Sequence, residues 1–203
     1  MLGIFQVRTT LRDICAMKQL ARWISIIAHP FAMVALLVAV PAIQQSSGHA
    51  IQSVLLVAIA VIIPLAVLMI RQVRRGRWSN VDASNSSERP ILFFVALIGL
   101  IAALGWLHLN DPQSFLVQGM LVTGTFLLLA SLLTRWVKLS LHAAFAALTA
   151  TTLSLSGSWV GYALIPVVPM VLWSRIALTR HRVHELVVGL VLGVLTGAIL
   201  VWL

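Results

Sequence analysis

Acid is scarce in this chain. Five Asp and Glu residues stand against fourteen Lys and Arg among 203 residues, and no two of the acids adjoin. That excludes an Asp-rich magnesium site, the signature that prenyl transfer would need. Cysteine is scarcer still: Cys15 stands alone, so an internal disulfide and a thiolate metal site are both excluded. Cys15 reads as a small apolar residue. Charge of either sign is rare, at 9% of residues, against about 25% in soluble globular domains. Sequence repeats and low-complexity segments are absent.

What is there is apolar. Hydrophobic residues make up 61% of the chain. A helix that spans a bilayer needs about 20 mostly apolar residues. Candidate runs are 23–43, 50–70, 90–108, 114–134, 139–156, 158–174 and 183–202. The expected fold is all-α: a polytopic transmembrane bundle of about six or seven spanning helices. The short runs 139–156 and 158–174 leave the count open between those two numbers, since they can also form a hairpin through Ser156-Gly157-Ser158. Residues 1–22 carry Ile4, Val7, Leu11 and Ile14 at helical spacing, which predicts a short N-terminal interfacial helix. Residues 23–203 form the bundle. The basic residues before the first apolar run make that region too long for a cleaved signal peptide.

The net charge of +9 is not a nucleic-acid pattern, because the basic residues cluster between apolar runs instead of lining one solvated face. If all seven runs span, one side receives the N-terminal segment and the connections 71–89, 135–138 and 175–182. Those hold all 14 Lys and Arg residues; the other side holds none. The positive-inside rule places the basic side in the cytosol. Trp106, Trp136, Trp159, Trp173 and Trp202 fall near helix ends, as an aromatic belt would. His49, His108 and Asp111 read as interface residues on the uncharged side. His29-Pro30, inside the first run, reads as a kink with a satisfied imidazole.

Two polar stretches on the basic side call for explanation. RQVRRGRWSNVDASNSSERP at 71–90 is too long for a minimal turn. SRIALTRHRVHELVVG at 174–189 runs into a helix that begins with His and Glu. His181 and Glu185 are four apart and share a helical face. A carboxylate there can hold one imidazole nitrogen and leave the other as base or nucleophile. Gly189, Gly193 and Gly197 continue the stripe, which turns this face toward a neighbouring helix. Helices are expected to begin near Pro90, Leu139 and Val183, with Arg89, Lys138 and Arg175 next to these starts. Helix N-termini suit phosphate. HRVHE has the wrong residue order for a zinc helix.

These spacings resemble the type 2 phosphatidic acid phosphatase and haloperoxidase superfamily. Its motifs read Lys-x6-Arg-Pro, Pro-Ser-Gly-His and Ser-Arg-x5-His-x3-Asp. The corresponding residues are Asp82-x6-Arg89-Pro90, Leu139-Ser140-Leu141-His142 and Ser174-Arg175-x5-His181-x3-Glu185, within residues 71–189. The departures are Asp82 for Lys, Leu139 and Leu141 for Pro and Gly, and Glu185 for Asp. The resemblance implies His181 as nucleophile, Glu185 as its orienting carboxylate and His142 as acid and base. It implies Arg89, Arg175, Ser140, Ser174 and the substitute cation Lys138 as phosphate ligands. Asp82 and His184 are expected to touch site residues, not phosphate. No metal and no cofactor are expected.

The implied activity is hydrolysis of a phosphomonoester or diphosphate on a phospholipid or polyprenyl lipid through a phosphohistidine, at the cytosolic face of a bacterial inner membrane. The competing expectation is a non-catalytic lipid-phosphate binding or transport protein of the same fold. Expected partners are the lipid phosphate and membrane lipids, with no nucleic acid; a homo-oligomer stays open.

Overall fold

The computed structural model describes residues 2–44, 50–78, 85–111 and 115–202. Among them there is helix and no strand. The elements are α1 (Leu2–Ile27), α2 (Pro30–Gln44), α3 (Ala50–Val57), a π turn (Ala58–Ile62), α4 (Ile63–Arg74), a 3-10 turn (Ser86–Glu88), α5 (Arg89–Asn110), α6 (Phe115–Leu133), α7 (Leu141–Leu155), α8 (Trp159–Leu164), α9 (Val167–Ala177) and α10 (Val183–Trp202).

Among the described residues, helix covers most of each of the seven apolar runs. Five helical stretches among the described residues are long and apolar enough to cross a membrane: Val54–Arg74, Arg89–Asn110, Leu116–Leu133, Trp159–Ala177 and Val183–Trp202. A sixth is the pair Cys15–Ile27 and Pro30–Gln44, bent by 40°. The seventh run, α7, is 15 residues long, about 22 Å at 1.5 Å per residue, and falls short of a full span. Its surroundings explain the shortness. From His142 to Ala150 every residue is buried, because α7 is the central helix: α10, α8, α2 and α9 all pack on it. Protein, not lipid, surrounds it.

Proline and glycine set the breaks. Pro30 has no N–H and disfavours helical geometry at His29, so α1 stops at Ile27 and α2 restarts at Pro30. The helix is continuous through residues 22 and 23; the break comes at Ala28-His29. Pro64 cannot donate to the Ala60 carbonyl four residues earlier. The chain there widens into the π turn, closed by the Ile63 N–H on the Ala58 carbonyl. Gly99 of α5 sits against that turn, where a Cβ would collide with the Ala60 carbonyl oxygen.

The α7–α10 contact is the most extensive between helices. A Cβ at Gly189 would lie 2.6 Å from the Ser140 carbonyl oxygen, and one at Gly197 would lie 2.7 Å from that of Leu148. Gly193 faces the Ala144 carbonyl in the same way. Three missing side chains therefore let two backbones touch along about two turns. That contact carries Glu185 at the start of α10, and His181 two residues before that helix, onto the start of α7.

Candidate active site

One end of the bundle gathers the starts of α5, α7 and α10, the end of α9 and the end of α1. Each start has a local cause. Ser140 caps α7: its backbone is extended, with φ −86° and ψ 110°, and its side-chain oxygen accepts the Ala143 N–H at 3.4 Å. At the α5 start, the Glu88 carboxylate accepts from the Asn85 amide nitrogen and backbone N–H at 3.2 and 3.3 Å. That turn delivers Arg89 inward, where it is 2% exposed.

Helix α9 ends at Ala177 in a left-handed turn. Thr179 has φ of 53°, the Arg180 N–H reaches back to the Arg175 carbonyl, and the Thr179 N–H reaches the Ile176 carbonyl. This is a Schellman closure with threonine where glycine is usual. It swings the chain so that Arg175 and His181, six residues apart, serve the same site.

The His181 Nδ1 lies 2.8 Å from Glu185 Oε2, and its side chain is 2% exposed. The Arg182 N–H donates to the same carboxylate oxygen at 3.2 Å. With Nδ1–H donating to Glu185, the lone pair of the neutral ring lies on Nε2. Burial pushes His181 down to about 4; the Glu185 hydrogen bond opposes this, while Arg175 and Arg89 add to it. His181 is therefore neutral, and nucleophilic, at neutral pH.

Two buried guanidinium groups flank it. Arg89 Nη1 donates to the Leu139 carbonyl at 2.7 Å, and its Nε has no partner. Arg175, 1% exposed, donates from Nη1 to Ser25 Oγ at 2.6 Å. The Arg175 charge reaches Arg89, His142 and His181. His142, in the first turn of α7, is buried, and its Nε2 has no hydrogen-bond partner. Lys138 Nζ donates to the Arg180 carbonyl at 3.4 Å, and its charge reaches Glu185. Lys138 and Arg89 thus face Glu185, Arg89 also faces Glu88 at the α5 start, and Arg175 adds a third cation. A buried site with surplus positive charge and hydrogen-bonding nitrogens suits a multivalent oxyanion.

Of the residues named from sequence, His181, Glu185, His142, Arg89, Arg175, Ser140 and Lys138 meet here. Ser174 is buried beside them, but its hydroxyl donates to its own helix, to the Val171 carbonyl, at 2.8 Å. His184 is exposed and makes none of these contacts. Asp82 lies outside the described residues. Among the described residues, no group of three His, Cys, Asp or Glu side chains is placed to hold a metal ion.

Two residues escaped sequence reasoning. Ser25 carried no signal at all: one serine in an apolar helix. His29 carries one, a histidine next to proline in a span, which predicts a kink. It is a kink. The Phe31 N–H donates to His29 Nδ1 at 3.2 Å and the Met33 N–H to its carbonyl at 3.1 Å, so His29 caps α2. Its ring also packs edge-on against His142, with centroids 5.2 Å apart. Because Nδ1 accepts from Phe31, a neutral His29 carries its proton on Nε2.

Both imidazoles line the end of an apolar cavity of about 330 Å³, at the small end of the range for ligand pockets. It runs beside α7 from His142 to Ser156 and is walled by residues such as Phe31, Phe145 and Leu200.

The fold and site define a polytopic helical membrane bundle with a buried His, Arg and carboxylate cluster at one end. No family model matches the chain, and no curated protein or solved structure matches it either.

Proposed function

We propose that the protein is a membrane-embedded, metal-independent phosphatase that hydrolyses a phosphomonoester or diphosphate of a phospholipid or polyprenyl lipid. The observation that carries this reading is the His181–Glu185 pair set among buried Arg89, Arg175 and His142. The phosphate sits on the two guanidinium groups and the start of α7. His181 Nε2 attacks phosphorus, forming an N–P bond as the P–O bond to the lipid breaks. His142, neutral in its buried site, takes up a proton when the phosphate dianion binds beside it and gives that proton to the departing oxygen. It then takes a proton from water, whose oxygen attacks phosphorus and breaks the N–P bond, releasing phosphate and neutral His181. Glu185 stabilises the charge on His181, and Arg89 and Arg175 stabilise the charge building on the phosphoryl oxygens.

The apolar cavity that begins at His29 and His142 supports a lipid substrate, with room for hydrocarbon next to the reacting oxygen. The clustering of basic residues supports a cytosolic site in a bacterial inner membrane.

A second reading, a lipid-phosphate binding or transport protein, has its own observation. Leu139 and Leu141 stand where the resembled motif has Pro and Gly, and Arg89 Nη1 is engaged by the Leu139 carbonyl. Purified wild type and His181→Ala, given phosphatidic acid, prenyl phosphates and prenyl diphosphates, decide between them. Phosphate release by wild type, lost in a folded His181→Ala, is expected. Full activity in His181→Ala sinks the catalytic reading, and a wild type silent on the whole panel favours binding.

A further inference from the structure

A second cavity, of about 350 Å³, lies between the end of α1 and the turn after α9. Lys18, Arg22, Ser25 and Ile26 stand at i, i+4, i+7 and i+8, so one face of α1 forms a wall. The facing wall includes Thr179 and Arg180. Among the described residues that line it, three carry cations and none a carboxylate. A cleft of one charge sign focuses its field and concentrates the opposite ion.

The walls are held in place. Ser25, 5% exposed, is fixed by the bond from Arg175. The 178–180 backbone N–H groups close on the end of α9, and the Arg180 carbonyl is held by Lys138. The Arg180 side chain is therefore presented from a fixed turn. The cavity is also separate from the cluster described above, with Ser25 as the partition: its hydroxyl binds Arg175 while the residue lines the cavity.

We propose that this cavity is a second oxyanion site, taking a phosphate group through Lys18, Arg22 and Arg180. The chemistry is shared by free inorganic phosphate and by the headgroup of an anionic phospholipid. The proposal does not rest on the phosphatase reading, because its readout is binding and not turnover.

The test uses full-length purified protein. One arm, in phosphatidylcholine nanodiscs, measures binding of radiolabelled inorganic phosphate. The other, in mixed phosphatidylcholine and phosphatidylglycerol nanodiscs, counts retained phosphatidylglycerol by native mass spectrometry. Each charge removed should weaken binding roughly fivefold. Lys18→Gln/Arg22→Gln should therefore lose the probe that the cavity takes, and Arg180→Gln, from the facing wall, should weaken it as well. Phosphate bound at Arg89 and Arg175 stays as a separate class. Loss in the first arm assigns free phosphate; loss in the second assigns the lipid headgroup. Unchanged binding of both probes overturns the site. So does equal loss in Arg180→Lys, which keeps the charge and would place the effect in the turn.

Discussion

The Ser140 N–H donates to the Glu185 carbonyl oxygen at 3.1 Å. One residue thereby ties two parts of the site: the Glu185 backbone holds the α7 cap while its carboxylate holds His181. The close pass of Gly189 over Ser140 makes that bond reachable.

Glu185→Gln keeps the shape and the hydrogen bond to the α7 cap but removes the charge opposite His181. Lipid-phosphate hydrolysis should fall at least about 100-fold in kcat, with phosphate binding retained. Steady-state kinetics and a binding titration check this together. Loss of binding with unchanged kcat would place Glu185 in substrate recognition instead.

His181 adds a pH dependence to stability. Its folded value, about 4, is below the usual histidine value of about 6.5. Above roughly pH 6.5 both folded and unfolded chains hold it neutral and its full contribution is present. As pH falls from about 6.5 to 4, the unfolded chain takes up the proton and the folded one resists, so stability is lost. The melting temperature of wild type relative to His181→Gln should decline through that window. A constant difference would show that His181 is not held neutral.

The edge contact of His29 on His142 predicts, on the proposed phosphatase mechanism, a positioning role for His29. His29→Leu removes the edge contact and the cap on Phe31, and should lower kcat about 10- to 100-fold with little change in KM. His29→Gln, which offers both an acceptor and a donor, should recover part of the loss. Equal activity in wild type and His29→Leu would reduce His29 to a kink.

Gly193→Ala places a methyl group against the Ala144 carbonyl, a backbone atom that cannot rotate away. The expected cost is about 1–3 kcal/mol, with activity lost as α10 lifts from α7. Gly105 offers the control: nothing lies within 4 Å of its added Cβ, and Gly105→Ala should gain up to about 1 kcal/mol. Thermal melts in detergent distinguish the two. Equal effects would mean that the α7–α10 approach does not depend on glycine.

The helical runs, the basic clusters and the His181–Glu185 pairing could be read in the linear chain, although His181 lies two residues before α10 and not on it. Hydropathy over about 20 residues reports spans, and a four-residue spacing reports a shared helical face. The glycine stripe, likewise, announced a close neighbour without saying which. Three things were decided only by tertiary structure, because each depends on contacts between residues far apart in sequence. The stripe's partner is α7, and burial of that helix on all sides is why a 15-residue segment sits at the centre of the bundle. Arg175 is fixed by Ser25, 150 residues away, a pairing that no local pattern encodes. His29 meets His142 because a proline break in one helix faces the first turn of another. Composition determined that this chain enters a membrane; packing decided which of its few polar side chains meet there.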